Sequence, residues 1–273
     1  VGINSINSSY LAEHNQFADL KYGIKDQKGY YTNPSTIDSN YFAIVNFGIS
    51  LNGASGDIIF GNKFQYIPKC SQTDVDHTYG IKIVGGSGYS IEKNSFYGEG
   101  EISYDPITAG SHAMIFDKTG ASSGLVFDNT MYDLDYGIHT QADNQNLKIK
   151  CNAFGTALVP QFYQNAWYTV DGLLRQQGSP ACQNGIDPEA GSYAAGNRWL
   201  SNCSGTTEHD LYSPTVEFDY YANIEDQFQG TTTIPFCSTP DWYDNHLIQD
   251  CAEEAASSCS YPIELMGLSP VGE

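Results

Sequence analysis

An Asn-x-aromatic or Asn-x-Met triplet recurs along the first part of the chain, as Asn15/Phe17, Asn40/Phe42, Asn62/Phe64, Asn94/Phe96, Asn129/Met131 and Asn152/Phe154. The separations are 25, 22, 32, 35 and 23 residues. A second signature, aromatic-Gly-Ile, recurs as Tyr22-Gly23-Ile24, Phe47-Gly48-Ile49, Tyr79-Gly80-Ile81 and Tyr136-Gly137-Ile138. A degenerate copy reads Ala113-Met114-Ile115, with Met114 where glycine would stand. From each Ile to the next Asn the distance is 16, 13, 13, 14 and 14 residues. From Asn to the following Gly it is 8 in three cases, but 18 from Asn62 to Gly80 and 20 from Asn94 to Met114. Insertions therefore enter on one side of the unit only. Self-similarity at this period marks a stacked-repeat architecture, in which no unit buries its apolar face alone.

The residues inside each unit say what kind of stack. Before each Asn lie short apolar runs, such as Ile58-Ile59-Phe60, Tyr89-Ser90-Ile91, Leu125-Val126-Phe127 and Leu147-Lys148-Ile149. They fit a strand with one buried face, and the helical period of 3.6 is absent. Asn tolerates a left-handed bend, and its amide can bond to an identical Asn one coil away. Phe two positions on returns to the same side and points inward. Gly before Ile is expected to allow a tight corner without a Cβ clash. An antiparallel sandwich would instead show Asn-Gly or Asp-Gly turns at regular spacing. The expected fold is thus all-β, a solenoid of parallel strands with an irregular, disulfide-containing C-terminal extension. Coils advancing ~4.8 Å each would give a short, stiff rod of roughly 30 Å.

The Asn-x-Phe and Tyr-Gly-Ile spacing of residues 12–154 resembles the right-handed parallel β-helix proteins of the pectin-lyase-like superfamily. The wording Tyr79-Gly80-Ile81 followed by Tyr89-Ser90-Ile91-Glu92-Lys93-Asn94-Ser95-Phe96 is most similar to large secreted surface proteins of Bacteroidetes. That resemblance implies export by the type IX secretion route and a role in adhesion or gliding, within chains much longer than this one. Secretion-machinery components are then expected partners. Fold likeness of this kind says little about chemistry.

Composition narrows the partners. The chain of 273 residues carries 12 Lys+Arg against 32 Asp+Glu, a formal net charge of -20. Nucleic-acid binding needs clustered Lys and Arg, and here only Arg175, Arg198 and scattered lysines are present. Nucleic acid is excluded on that ground. No apolar run approaches the ~18 residues needed to cross a bilayer, so membrane insertion is not expected. The seven cysteines, 70, 151, 182, 203, 237, 251 and 259, form no C-x-x-C pair, which disfavours zinc-knuckle and thioredoxin readings. An acidic, Tyr-rich chain of this kind suits an extracellular surface where some thiols pair.

Beyond Phe154 the pattern fades. Residues 1–160 are read as the coils, and 161–273 as the last irregular coil or coils plus a capping or linker segment. A late echo, Gly196-Asn197-Arg198-Trp199, suggests one further coil. Val216 to Tyr221 reads as a strand, and Asn245 to Ala256 as a short helix. An uncovered stack end leaves open backbone groups. Repeat sequence begins close to Val1, so the chain is expected to be part of a longer multidomain protein.

The chemistry-bearing residues cluster in the inserted corners. Asp74, Asp76 and His77 occupy the first, and Glu99, Glu101 and Asp105 the second, with Tyr97 and Tyr104 alongside. Insertions at one corner of consecutive coils project side by side and commonly form a binding face. A calcium-assisted site for a cell-surface glycan or protein partner is the sharper expectation, with Tyr rings as stacking platforms. Solvated loop charge on an acidic chain is the plainer one. Asp133 and Asp135 carry the same choice, calcium or solvent. No other cofactor is implied. His112 and His139 lack a serine or cysteine at a recognisable spacing and read as structural, and Cys151 as a residue that packs or pairs. A polysaccharide lyase of this fold commonly uses an Arg or Lys base, and a hydrolase closely set carboxylates. Neither arginine lies in the regular coils, the Asp-pair, Gly-His-Gly and Arg-x-Lys motifs are missing, and the negative charge opposes pectin-like polyanions. A non-catalytic platform is therefore expected, with a lyase or hydrolase using the corner carboxylates as its alternative.

Overall fold

The computed structural model describes residues 1–29, 33–68, 78–98, 110–119, 124–134, 136–144, 147–155, 166–173, 197–199, 211–212, 218–223 and 243–248. Among these, regular structure is all strand, and every strand pairing is parallel.

Each coil contributes strands to three faces. Face one stacks Gln16, Tyr41, Lys63, Ser95, Thr130 and Ala153 as the first residues of successive strands, ending on Arg198–Trp199. Face two stacks Ile3–Ile6, the second halves of Gln16–Gln27 and Tyr41–Ser55, then Thr78–Ser87, Ser111–Asp117, Tyr136–Asp143, Ala166–Leu173 and Leu211–Tyr212. Face three stacks Leu11–Glu13, Thr36–Asp38, Ile58–Phe60, Ser90–Glu92, Gly124–Phe127 and Leu147–Lys150. In the first two full coils, faces one and two are a single bent strand. Further along, the insertions at 69–77 and 99–109 interrupt that corner, which accounts for the one-sided change in repeat length. The stacking continues past Phe154 through Ala166–Leu173 and Arg198–Trp199.

Period two decides which side chains enter the interior. Ala12, Ile37, Ile59, Ile91, Val126 and Ile149 form one buried column, in direct parallel register. Ile24, Ile49, Ile81, Met114 and Ile138 form a second. The repeat's aromatic residues form a third, Phe17, Phe42, Phe64, Phe96, Met131 and Phe154. Their rings lie nearly flat on one another, with centroids 4.7, 4.6 and 4.7 Å apart from Phe17 to Phe96. Each buried ring contributes on the order of 1.5–3 kcal/mol by leaving water, with about 0.5–1.5 more per stacked pair.

Three local expectations are corrected. The left-handed residue of each bend is the one before Asn, not Asn itself: His14, Ser39, Gly61, Lys93, Asp128 and Cys151 have φ between 53° and 64°. The glycines before Ile do spare a Cβ clash, as expected, and do so without a positive φ. A Cβ on Gly23, Gly48, Gly80 or Gly137 would lie 2.5–2.7 Å from a ring atom of Phe42, Phe64, Phe96 or Phe154. The degenerate copy is shifted by one, because Met114 pairs with Ile81 and Ile138, leaving His112 opposite Tyr79 and Tyr136. Finally, the expected helix begins as strand Tyr243–Ile248, paired with Phe218–Asn223. Ladder hydrogen bonds along that segment outweigh its local helical pattern, and residues 249–256 lie outside the described residues.

Candidate functional site

The corner face foreseen from the sequence is described only at its edge. Asp74, Asp76, His77, Glu99, Glu101, Tyr104, Asp105 and Asp135 lie outside the described residues, as do the C-terminal cysteines. Tyr97, just before the second insertion, is described. Its ring stacks on Tyr132 with centroids 5.4 Å apart and an interplanar angle of 21°. Lys63 Nζ lies 5.7 Å from the Tyr97 centroid, and Thr130 Oγ1 donates to Ser95 Oγ at 3.1 Å. Burial, and then the neighbouring Tyr97, push the Tyr132 phenol above its usual range. This outer face therefore presents a cation, two stacked phenols and two hydroxyls in successive coils, a set that can stack on a sugar ring and hydrogen-bond its hydroxyls. Asp133 sits at a left-handed bend, and its carbonyl oxygen would be 1.8 Å from a Cβ on Gly98. Among the described residues no three His, Cys, Asp or Glu side chains converge as a metal site.

On face two a column of largely buried rings forms a cluster separate from the main core. Tyr22 to Phe47 and Phe47 to Tyr79 are 4.7 and 5.0 Å apart, with Lys21, Lys25 and Lys82 over them. The column continues into His112 and Tyr136, stacked at 4.5 Å. His112 Nδ1 is 3.1 Å from Gly110 O, and its Nε2 is 3.3 Å from His139 Nδ1. Both histidines are thus built into the stack.

The most continuous arrangement is the asparagine ladder. Oδ1 of Asn40 accepts from both the backbone N–H and Nδ2 of Asn15, at 2.9 and 3.0 Å. The same pair of bonds repeats from Asn40 to Asn62, Asn62 to Asn94, Asn94 to Asn129, Asn129 to Asn152 and Asn152 to Asn197. From Asn40 onward each amide also donates to backbone, as Asn94 Nδ2 does to Ile59 O at 3.0 Å and Glu92 O at 2.9 Å. From Asn15 to Asn152 the left-handed residue before each Asn aims its amide along the stack, and from Asn40 onward burial removes water as a competitor. Asn197, flagged in the sequence only as an echo, is a full member. A smaller relay joins Thr119 Oγ1 to Asn144 Oδ1 at 2.7 Å. Cys151, beside Asn152, is disulfide-bonded, and its partner lies outside the described residues.

Sequence reasoning missed a buried polar group formed by Asp26, Lys28 and Asp57, with the buried hydroxyl of the partly buried Tyr10 beside it. Singly, each resembles ordinary surface polarity. The only signal was that Asp26 and Lys28 share one side of a strand end, and Asp57 stands at the equivalent turn one coil later.

Comparison with family models, curated proteins and solved structures finds no match.

Proposed function

We propose that the chain is a non-catalytic β-helix module, wound right-handed in the pectin-lyase-like manner, that serves as a rigid structural or adhesive platform on a cell surface. The observation that carries this reading is the unbroken Asn15-to-Asn197 ladder, in which interior amides are spent on coil-to-coil bonds. Nearest-neighbour stacks of this kind resist bending because every coil is tied to the next. Export by the type IX route, and service in adhesion or gliding, extend the proposal. The corner face, with calcium as an auxiliary ligand, is the proposed docking edge for a surface glycan or protein.

A glycan array run with and without calcium tests the adhesive part. The expected result is a calcium-dependent hit lost when Asp74, Asp76, Glu99 and Glu101 become Ala. Binding unchanged by these substitutions removes the corner from the proposal. Release of ultraviolet-absorbing unsaturated sugars or new reducing ends from acidic or neutral glycans would overturn the non-catalytic reading.

A further inference from the structure

The buried polar group lies at the turn from face two to face three, between two consecutive coils. Lys28 follows the strand Gln16–Gln27, and Asp57 precedes Ile58–Phe60 in the next coil. The side chains of Lys28, Asp26 and Asp57 are 0% exposed. Lys28 Nζ is in direct contact with Asp57 Oδ1, and lies 3.0 Å from Asn33 O and 3.9 Å from Asp26 Oδ2. Asp57 is clamped by two backbone donors, Ser35 N–H to Oδ1 at 2.6 Å and Ser55 N–H to Oδ2 at 2.8 Å. Neither Asp26 oxygen, nor the Tyr10 hydroxyl, meets hydrogen-bond geometry with a partner.

As a salt bridge this arrangement is poorly made. Two carboxylates share one ammonium in a dry interior, and one of them is unsatisfied, where an uncompensated buried charge is costly. As a reaction site it is well made. An amine touches a carboxyl group that is held and polarised by two fixed N–H donors, and a second carboxyl stands beside the amine to carry a proton.

We propose that Lys28 and Asp57 close an intramolecular isopeptide bond inside the solenoid, with Asp26 as the proton carrier. Lys28 passes a proton to the Asp57 carboxylate that it touches, and its Nζ then attacks Asp57 Cγ, forming the C–N bond. The oxyanion that develops is stabilised by a Ser35 or Ser55 N–H donor. Asp26 gives its proton to the departing hydroxyl, so the C–O bond breaks and one water leaves, and takes a proton back from nitrogen. Asp26 ends as it began, and no oxidant, reductant or activating group is required. Burial holds the Asp26 carboxyl above the usual carboxylate range, against the opposing pull of Ser5 and Lys28, so that it retains a transferable proton. Proximity without competing water does the remaining work. The product, an uncharged amide, replaces a buried ion pair and joins residues 28 and 57 across consecutive coils at the start of the stack.

The test is the intact mass of the full chain, denatured and with disulfides reduced. The expected value is below the sequence mass by one water, and tandem fragmentation should yield a branched peptide joining Lys28 to Asp57. Lys28→Arg keeps the positive charge but cannot close the bond, so it should show the full sequence mass. Asp26→Asn, which keeps the shape and removes the proton carrier, should show the full mass or acquire the loss far more slowly. A wild-type mass equal to the sequence mass overturns the proposal and leaves a buried ion pair. A water loss that persists in Lys28→Arg overturns it too, by assigning the dehydration to a succinimide elsewhere. Loss at the wild-type rate in Asp26→Asn removes Asp26 from the mechanism.

Discussion

Phe96 occupies the space that a side chain on Gly80 would need, with Cδ1 of the ring 2.5 Å from where a Cβ would stand. The same relationship joins Gly23 to Phe42, Gly48 to Phe64 and Gly137 to Phe154, so the two repeat signatures are halves of one packing unit. Ala113, at the place of the repeat glycine, precedes the unit whose ring is replaced by Met131. A flexible thioether accommodates a methyl group that a stacked ring would not.

Gly80→Ala should therefore destabilise by about 1–3 kcal/mol through overpacking alone, since the backbone there needs no positive φ. Adding Phe96→Met should recover part of that loss. Urea unfolding of the two single variants and the double variant measures the coupling. Strict additivity would show that the glycine and the ring do not compete for space.

The ladder should be unequal along its length. Asn94→Ala removes the acceptor for two donors of Asn62 and leaves Ile59 O and Glu92 O without their amide. At about 1–3 kcal/mol for each buried group left unsatisfied, the cost should be several kcal/mol. Asn15, exposed at the first rung, only donates to Asn40, and its change to Ala should cost about 1 kcal/mol or less. Equal losses at the two positions would contradict a load shared through the buried stack.

Phe64 is stacked on both sides, against Phe42 and Phe96. Phe64→Ala should cost about 3–5 kcal/mol from lost burial and the cavity left behind. Tyr66, two residues on and exposed, should tolerate Ala within about 0.5 kcal/mol. Thermal unfolding of the pair provides the comparison.

Asp26 gives a pH test whose sign follows from its raised folded-state value. The folded chain holds this proton more tightly than the unfolded one. Its contribution is therefore fully present below the unfolded carboxylate value of about 3.9 and is lost as pH rises through the folded value. Denaturation series across that window should show a fall in stability with rising pH that Asp26→Asn lacks. Parallel pH profiles for the two proteins would mean that Asp26 is ionised in the fold.

The strand period and the side on which insertions enter were legible because they are local. Each depends only on what stands two, eight or thirteen residues away. The frame of Ala113 and Met114 was not, since three apolar residues in a row fit either alignment until Ile81 and Ile138 fix it from above and below. The strand at Tyr243–Ile248 was misread for the same reason, its pairing partner Phe218–Asn223 being far away in sequence.

By itself, the sequence determined a chain of short strands that bury alternate residues and carry an asparagine at one turn of each coil. Only the tertiary structure decided which residue bends left-handed, which ring each glycine makes room for, and that Lys28 meets Asp57. Period-two alternation assigns a side chain to the inside or the outside from its immediate neighbours. Its contact along the stack is a residue one full coil away, and parallel register together with ring-against-backbone packing selects that residue.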